Sequence, residues 1–368
     1  MAARLPALDW LRGVVMVLMT VDHASGVLNA GRLMSDSAFM YRPGTPLPAG
    51  QFFTRWITHL CAPTFVFLAG AVLALSVARR EAAGEPARAI DRFIVTRGLF
   101  IAALDVVWMS PVFVPGRVLL QVLYAIGASL IAMAFLRRLS PRRLLVTALA
   151  IIVGGEALTG LALLPSAGTP SIPAALLLTG GELGPVIVGY PLAPWLAIMM
   201  LGWVFGKSLA SAPEGALVRR IVAASFAALV VFAVLRAANG YGNMQLFREG
   251  SSLVQWLHVS KYPPSLTYTA LELGLMALAL AILFRLERVP AAETALRPLR
   301  LLGQTALFYY LLHVHFLEVA AWVAGASHRH GLAATYAAAL VAVVVLLPLC
   351  AWYRGYKSAH PDGWPRYV

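Results

Sequence analysis

Arg12 and His23 stand eleven residues apart in the run RGVVMVLMTVDHASG, which is apolar except at its ends. On an α-helix that spacing is roughly 16 Å along the axis and only about 20° around it, so both side chains share one face. A guanidinium can hold an anion. An imidazole titrates near neutral pH and can take or give a proton, or act as a nucleophile. Asp22 is adjacent in sequence but points about 100° away, and reaches His23 only by rotating its side chain. Ionisable residues cost about 2.5–3.5 kcal/mol at the centre of a membrane helix on insertion scales, and usually face a bundle interior where they serve function.

Further groups of this kind occur along the chain: His59, Arg97, Asp105, Glu156, Glu272, His313, His315 and Glu318, all within apolar stretches. Arg97 and Asp105 lie about 80° apart on one helix, which allows them to line one cavity or to form a buried pair between helices. His313 and His315, two residues apart, point about 200° from each other and cannot chelate one ion from a regular helix. No metal is expected. Lys261-Tyr262-Pro-Pro-Ser265 opens an apolar stretch in a manner suited to a helix start; Lys261 either snorkels to the interface or meets an anion. Gly-rich phosphate loops, Walker motifs and G-x-S-x-G elbows are absent from the sequence.

The elements that must position these groups are membrane helices. The 368 residues are 60% hydrophobic and 12% charged, with mean hydropathy +0.78. Apolar stretches of about twenty residues recur, the length an α-helix needs to cross a bilayer. Ten spans are expected, near 10–29, 56–78, 93–114, 117–136, 144–164, 189–209, 221–238, 265–284, 301–323 and 333–353. The fold class is all-α, a polytopic integral membrane protein forming one bundle and one domain over 1–368, with a short cytoplasmic tail from about 354. The long connection 30–55 and the Pro- and Gly-punctuated 165–188 lie outside, the latter holding an interfacial or re-entrant piece at 174–178.

The net charge of +13 and pI near 10.3 do not mark a nucleic-acid binder. The basic residues come in short clusters at every second connection, such as Arg79-Arg80, Arg137-Arg138 and Arg219-Arg220, instead of one patch interleaved with aromatics. The positive-inside rule then places both termini in the cytoplasm. Cys61 and Cys350 sit in apolar segments and read as buried thiols rather than a disulfide framework. A cleavage site at Ala24-Ser25-Gly26 is not expected, because Asp9 and the Asp22-His23 pair interrupt the signal-peptide pattern.

Five segments carry a family resemblance: Leu8-Asp9-Trp10-Leu11-Arg12-Gly13 with His23; the run from Phe53 to Gly70, FTRWITHLCAPTFVFLAG; Tyr190-Pro-Leu-Ala-Pro-Trp195; Lys261-Tyr-Pro-Pro-Ser-Leu266; and Phe308-Tyr-Tyr-Leu-Leu-His313. Together they resemble the bacterial branch of the heparan-α-glucosaminide N-acetyltransferase catalytic-domain family, over nearly the whole chain. The wider group of sugar-acylating transmembrane acyltransferases carries an arginine and a histidine eleven apart on the first span, which Arg12 and His23 match. One departure stands out. The lysosomal enzyme of the family has its catalytic histidine in the loop after the first span, whereas residues 30–55 here contain none.

The resemblance implies transfer of an acyl group, acetyl above all, from cytoplasmic acyl-CoA to a sugar or glycolipid-like acceptor across the membrane. It implies His23 as base or nucleophile with Asp22 orienting it, and Arg12 and Arg97 toward the donor. Arg55, His59, Lys261, Tyr262 and His313 fall toward the acceptor. The expected partners are acyl-CoA, the acceptor and membrane lipids, without nucleic acid; a homodimer is among the arrangements left open. Intramembrane ionisable groups also suit a proton-coupled transporter or a lipid-handling protein, although no internal repeat of the kind common in carriers is visible.

Overall fold

The computed structural model describes residues 5–163, 170–211, 213–360, 363 and 367. Residues 164–169 of the second outer connection, and most of 361–368 in the expected tail, lie outside the described residues.

Eleven helices carry the architecture. They are α1 (Pro6–Leu28), α2 (Ala49–Ala82, with a tight turn at Ile57–Leu60), α3 (Ala87–Phe113, with a wide turn at Asp105–Met109) and α4 (Val122–Leu136). Next come α5 (Pro141–Leu163), α6 (Leu192–Ser211), α7 (Glu214–Ala238) and α8 (Leu266–Leu286). The short α9 (Arg297–Gln304) precedes α10 (Ala306–Val323) and α11 (Leu332–Ala359). Among the described residues nine helices, all but α4 and α9, are long and apolar enough to cross a membrane. The protein is an all-α, multi-pass integral membrane protein.

The expected span at 117–136 is corrected at its start. Its first residues form a strand, β1 (Val118–Leu120), which pairs in parallel with β3 (Val186–Val188), itself antiparallel to β2 (Gly181–Leu183). β-Branched and apolar residues suit the small sheet. Helix α4 starts only at Val122 because the Asp105 carboxylate accepts hydrogen bonds from the Gln121 and Tyr124 amides, at 2.7 and 2.8 Å. A carboxylate at a helix N-terminus satisfies amides that no turn precedes. Asp105 is thus a cap, not a cavity partner of Arg97. The expected piece at 174–178 is a short helical segment from Ile172 to Thr179.

Helix α1 is the hub, packed against α2, α8, α9, α10 and α11. A Cβ on Gly13 would stand 2.0 Å from the Leu299 carbonyl oxygen, and one on Gly303 would stand 1.9 Å from that of Asp9. Only glycine allows α1 and α9 to approach this closely. The α2–α6 crossing is built similarly, with Gly202 of α6 against the Phe67 backbone and Gly70 of α2 against that of Met199. In hydrocarbon, where apolar burial supplies little drive between helices, close backbone packing through small residues holds a bundle together.

The long connections are tied down rather than loose. Arg236, fully buried at the end of α7, donates to the carbonyls of Leu246, Gln255, Trp256 and His258 and to Asn243 Oδ1. Glu156 of α5 accepts from the Gly242 amide at 2.5 Å. The Lys261 amide donates to the Asp36 carbonyl at 2.7 Å, and His258 Nε2 to that of Ser35. Two distant connections, 29–48 and 239–265, are therefore fixed to each other over one end of α1.

Candidate active site

Three cavities bear on the site, two of them lined by successive stretches of α1. An open basin of about 630 Å³ is lined by Arg297, Arg300, Arg354, Glu293 and Gln304. Gln304 also lines the second, of about 230 Å³, which runs between α1, α2, α3, α4 and α10 and holds Arg12, Arg97 and Lys357 in an otherwise largely apolar wall. A third, about 60 Å³, contains His23, Asp22, Lys261, Tyr190, Tyr262 and Gln121. The second and third share Phe65, Val122 and Tyr310, which form a neck between them.

Arg12 is oriented by a hydrogen bond from Nη1 to the Gly303 carbonyl at 3.0 Å and an ion pair with Asp9 at 3.1 Å. Both partners lie at the glycine-mediated crossing of α1 and α9, so close packing sets the guanidinium. Arg97 lines the same cavity, and its buried Nε has no hydrogen-bond partner among the described residues. Two cations thus face a space that runs toward the basic basin.

His23 lies about three turns further along the same face, packed edge-on against Phe113 and Tyr310. Its Nδ1 is 2.7 Å from His313 Nε2, and His313 Nδ1 is 3.1 Å from the Tyr309 carbonyl oxygen. A carbonyl oxygen only accepts, so His313 Nδ1 carries a proton. Neutral His313 therefore accepts at Nε2, and His23 must donate from Nδ1. That chain leaves the lone pair of His23 on Nε2, which no other protein group takes among the described residues. It is the arrangement a general base or a nucleophile requires.

The expected orienting role of Asp22 is corrected here. Its carboxylate is bound by Arg55 at 2.5 Å and Arg32 at 3.0 Å, and Arg32 also donates to its backbone carbonyl. Two guanidiniums outbid an adjacent imidazole for one carboxylate, and a histidine takes the orienting position instead. Arg55 reaches on to Asp36, which His59 also contacts, at 3.1 Å. Burial by itself would raise the Asp36 carboxyl, but Arg55, His59 and Lys261 hold it well below the usual carboxylate range. Arg55 and His59 are accordingly parts of a buried ionic frame beneath the cavity rather than groups lining it.

Lys261 and Tyr262 do line the third cavity, with Tyr190 edge-on to Tyr262. His315 packs on Trp108, turned away from His313 as the two-residue spacing requires. Asp36, Arg32, Gln121 and Tyr310 were not singled out from sequence. Asp36 had a usable signal, being the sole acidic residue in 30–55; the others had none.

Comparison with curated proteins returned no match. The family described as heparan-alpha-glucosaminide N-acetyltransferase, catalytic, matches residues 4–237, which take in Arg12, Asp22, His23, Arg32, Asp36, Arg55, His59 and Arg97 and stop short of Lys261 and His313. That stretch is well over half of the chain, and the protein belongs to this family of membrane acetyltransferases.

Proposed function

We propose that the protein moves an acyl group, acetyl by its family, from acyl-CoA entering at the Arg12 end to an acceptor meeting it at His23. The observation that carries the reading is the pair of cavities joined at one neck, cationic on one side and holding a histidine with a free Nε2 on the other. The donor's phosphates would face Arg12, Arg97 and Lys357, with the basic basin beyond. The largely apolar walls suit the pantetheine arm, and roughly 16 Å of helix separates Arg12 from His23.

At the thioester, His23 Nε2 takes the proton from the acceptor hydroxyl or amine as that atom attacks the carbonyl carbon. The tetrahedral intermediate collapses with cleavage of the C–S bond, and the proton on His23 passes to the departing thiolate. His313 accepts the hydrogen bond from Nδ1 throughout and is a positioning residue. The clusters of Lys and Arg at the Arg12 end support a cytoplasmic donor side, both termini cytoplasmic, in a bacterial plasma membrane. The acceptor, a sugar or glycolipid-like molecule, then approaches from the far side, and residues 1–368 act as one domain.

The test is release of CoA thiol from acetyl-CoA by detergent-purified protein, with and without amino-sugar acceptors. His23→Ala is expected to abolish release while retaining acetyl-CoA binding. Arg12→Ala is expected to raise KM for acetyl-CoA about tenfold or more, as for loss of a hydrogen bond to a charged group. Full turnover in a folded His23→Ala protein refutes the assignment of the base. Wild-type protein that neither binds nor turns over acyl-CoA refutes the function.

A further inference from the structure

The ion pairs around the His23 cavity leave one ammonium out. Asp22 is held by Arg32 and Arg55, and Asp36 by Arg55 and His59. Lys261 is 4% exposed, lines the same cavity, and has no ion pair or side-chain hydrogen bond among the described residues. Its ammonium stands 5.2 Å above the Tyr262 ring, and the carboxylates of Asp22, Asp36 and Glu272 act on it only from beyond ion-pair distance. Glu272 is buried nearby, but it lies outside ion-pair distance and its Oε1 has no partner. A buried ammonium with no ion pair or hydrogen bond of its own is costly, and natural proteins keep one where something will pair with it.

Nor is Lys261 free to leave. Its backbone amide is bonded to the Asp36 carbonyl and its segment bridges to Pro264, so the ammonium is presented to the cavity by fixed backbone. Burial raises the Tyr262 phenol, yet Lys261 and Arg55 outweigh it and the group sits below its ordinary value. The cavity that holds both Lys261 and His23 is small, about 60 Å³.

We infer that Lys261 is an acid-recognition residue for the acceptor: the molecule acylated at His23 carries a carboxylate or phosphate close to its accepting hydroxyl or amine. The inference rests on the acyl-transfer reading and narrows its acceptor to acid-bearing sugars. A neutral or purely cationic amino sugar leaves Lys261 unpaired in the complex and is the poorer substrate.

The experiment compares acetyl-CoA thiol release with four acceptors: muramic acid, its methyl ester, glucosamine 6-phosphate and glucosamine. In wild type, kcat/KM for muramic acid over its ester, or for the phosphorylated sugar over glucosamine, is expected to exceed ten. Which pair discriminates tells carboxylate from phosphate. Lys261→Met is expected to bring that ratio near one, and Lys261→Arg to keep most of it. A ratio near one in wild type overturns the inference, as does a ratio that survives in Lys261→Met. Equal loss on both members of a pair also overturns it, since that marks a group acting on the thioester carbonyl. Thiol release that no acid-bearing sugar stimulates overturns the inference and leaves acyl transfer standing. Absence of both thiol release and acyl-CoA binding refutes the underlying reading instead.

Discussion

Replacing His313 tests the hydrogen-bond chain behind the base. When His23 takes a proton, its Nδ1–H becomes a charge-assisted donor to His313 Nε2, 2.7 Å away in the resting state. Hydrogen bonds to charged groups contribute about 1.5–3 kcal/mol. At about 1.36 kcal/mol per factor of ten, His313→Leu should lower kcat roughly 10- to 150-fold. The KM for acetyl-CoA should stay within about twofold, because Arg12 and Arg97 lie some 16 Å away along α1. His313→Gln places an amide oxygen close to where Nε2 stood and should recover most of the loss. The assay is initial-rate thiol release at saturating acetyl-CoA, normalised to folded protein by size-exclusion profile. Wild-type kcat in a folded His313→Leu protein would refute the tautomer argument. So would equal losses in the Leu and Gln variants, which would make His313 a packing residue only.

Two further outcomes follow from the frame around the site. Gly303→Ala puts a methyl 1.9 Å from the Asp9 carbonyl oxygen; overpacking of this kind costs about 1–3 kcal/mol, so a thermal-melting assay should show a lower Tm, and kinetics a raised KM for acetyl-CoA as Arg12 shifts with the crossing. Asp36→Asn strips a counter-ion from buried Arg55, and breaking such a pair costs about 3–5 kcal/mol. Because the native Asp36 carboxyl is held below its unfolded value, its contribution is full above about pH 4 and fades as pH falls below that. The Tm gap between wild type and Asp36→Asn should thus be largest at neutral pH and narrow toward pH 3; a gap independent of pH would refute the linkage.

Hydropathy made the bundle legible, since a helix that crosses a bilayer must be apolar for about twenty residues. Phase along a single helix made Arg12 and His23 legible as a pair. What one helix could not reveal was its partners. His313 was visible as a histidine in an apolar span, but its contact with His23 joins residues 290 apart and depends on how α1 and α10 meet. Asp22 looked like the orienting carboxylate because it is adjacent; Arg32 and Arg55, arriving from the next connection and the next helix, took it. Asp105 read as a cavity group or as half of a buried pair with Arg97, because a carboxylate in an apolar stretch suggests one or the other, whereas its work is to cap α4. The glycines that set α1 against α9 and α2 against α6 carry a readable small-residue spacing, with Gly202 and Gly206 one turn apart, but which helix each faces is a tertiary fact.

The neck between the two cavities has a consequence for the membrane itself. On the acyl-transfer reading donor and acceptor enter from opposite faces, and a protein used in that way risks collapsing the ion gradients its cell maintains. Phe65, Val122 and Tyr310, contributed by three separate helices, are what the two hollows have in common. A donor arm threaded past them would stopper the passage it uses. Permeability would then be governed by occupancy: the bilayer stays sealed while the acyl carrier is in place, and the three side chains must close the gap each time the spent thiol withdraws.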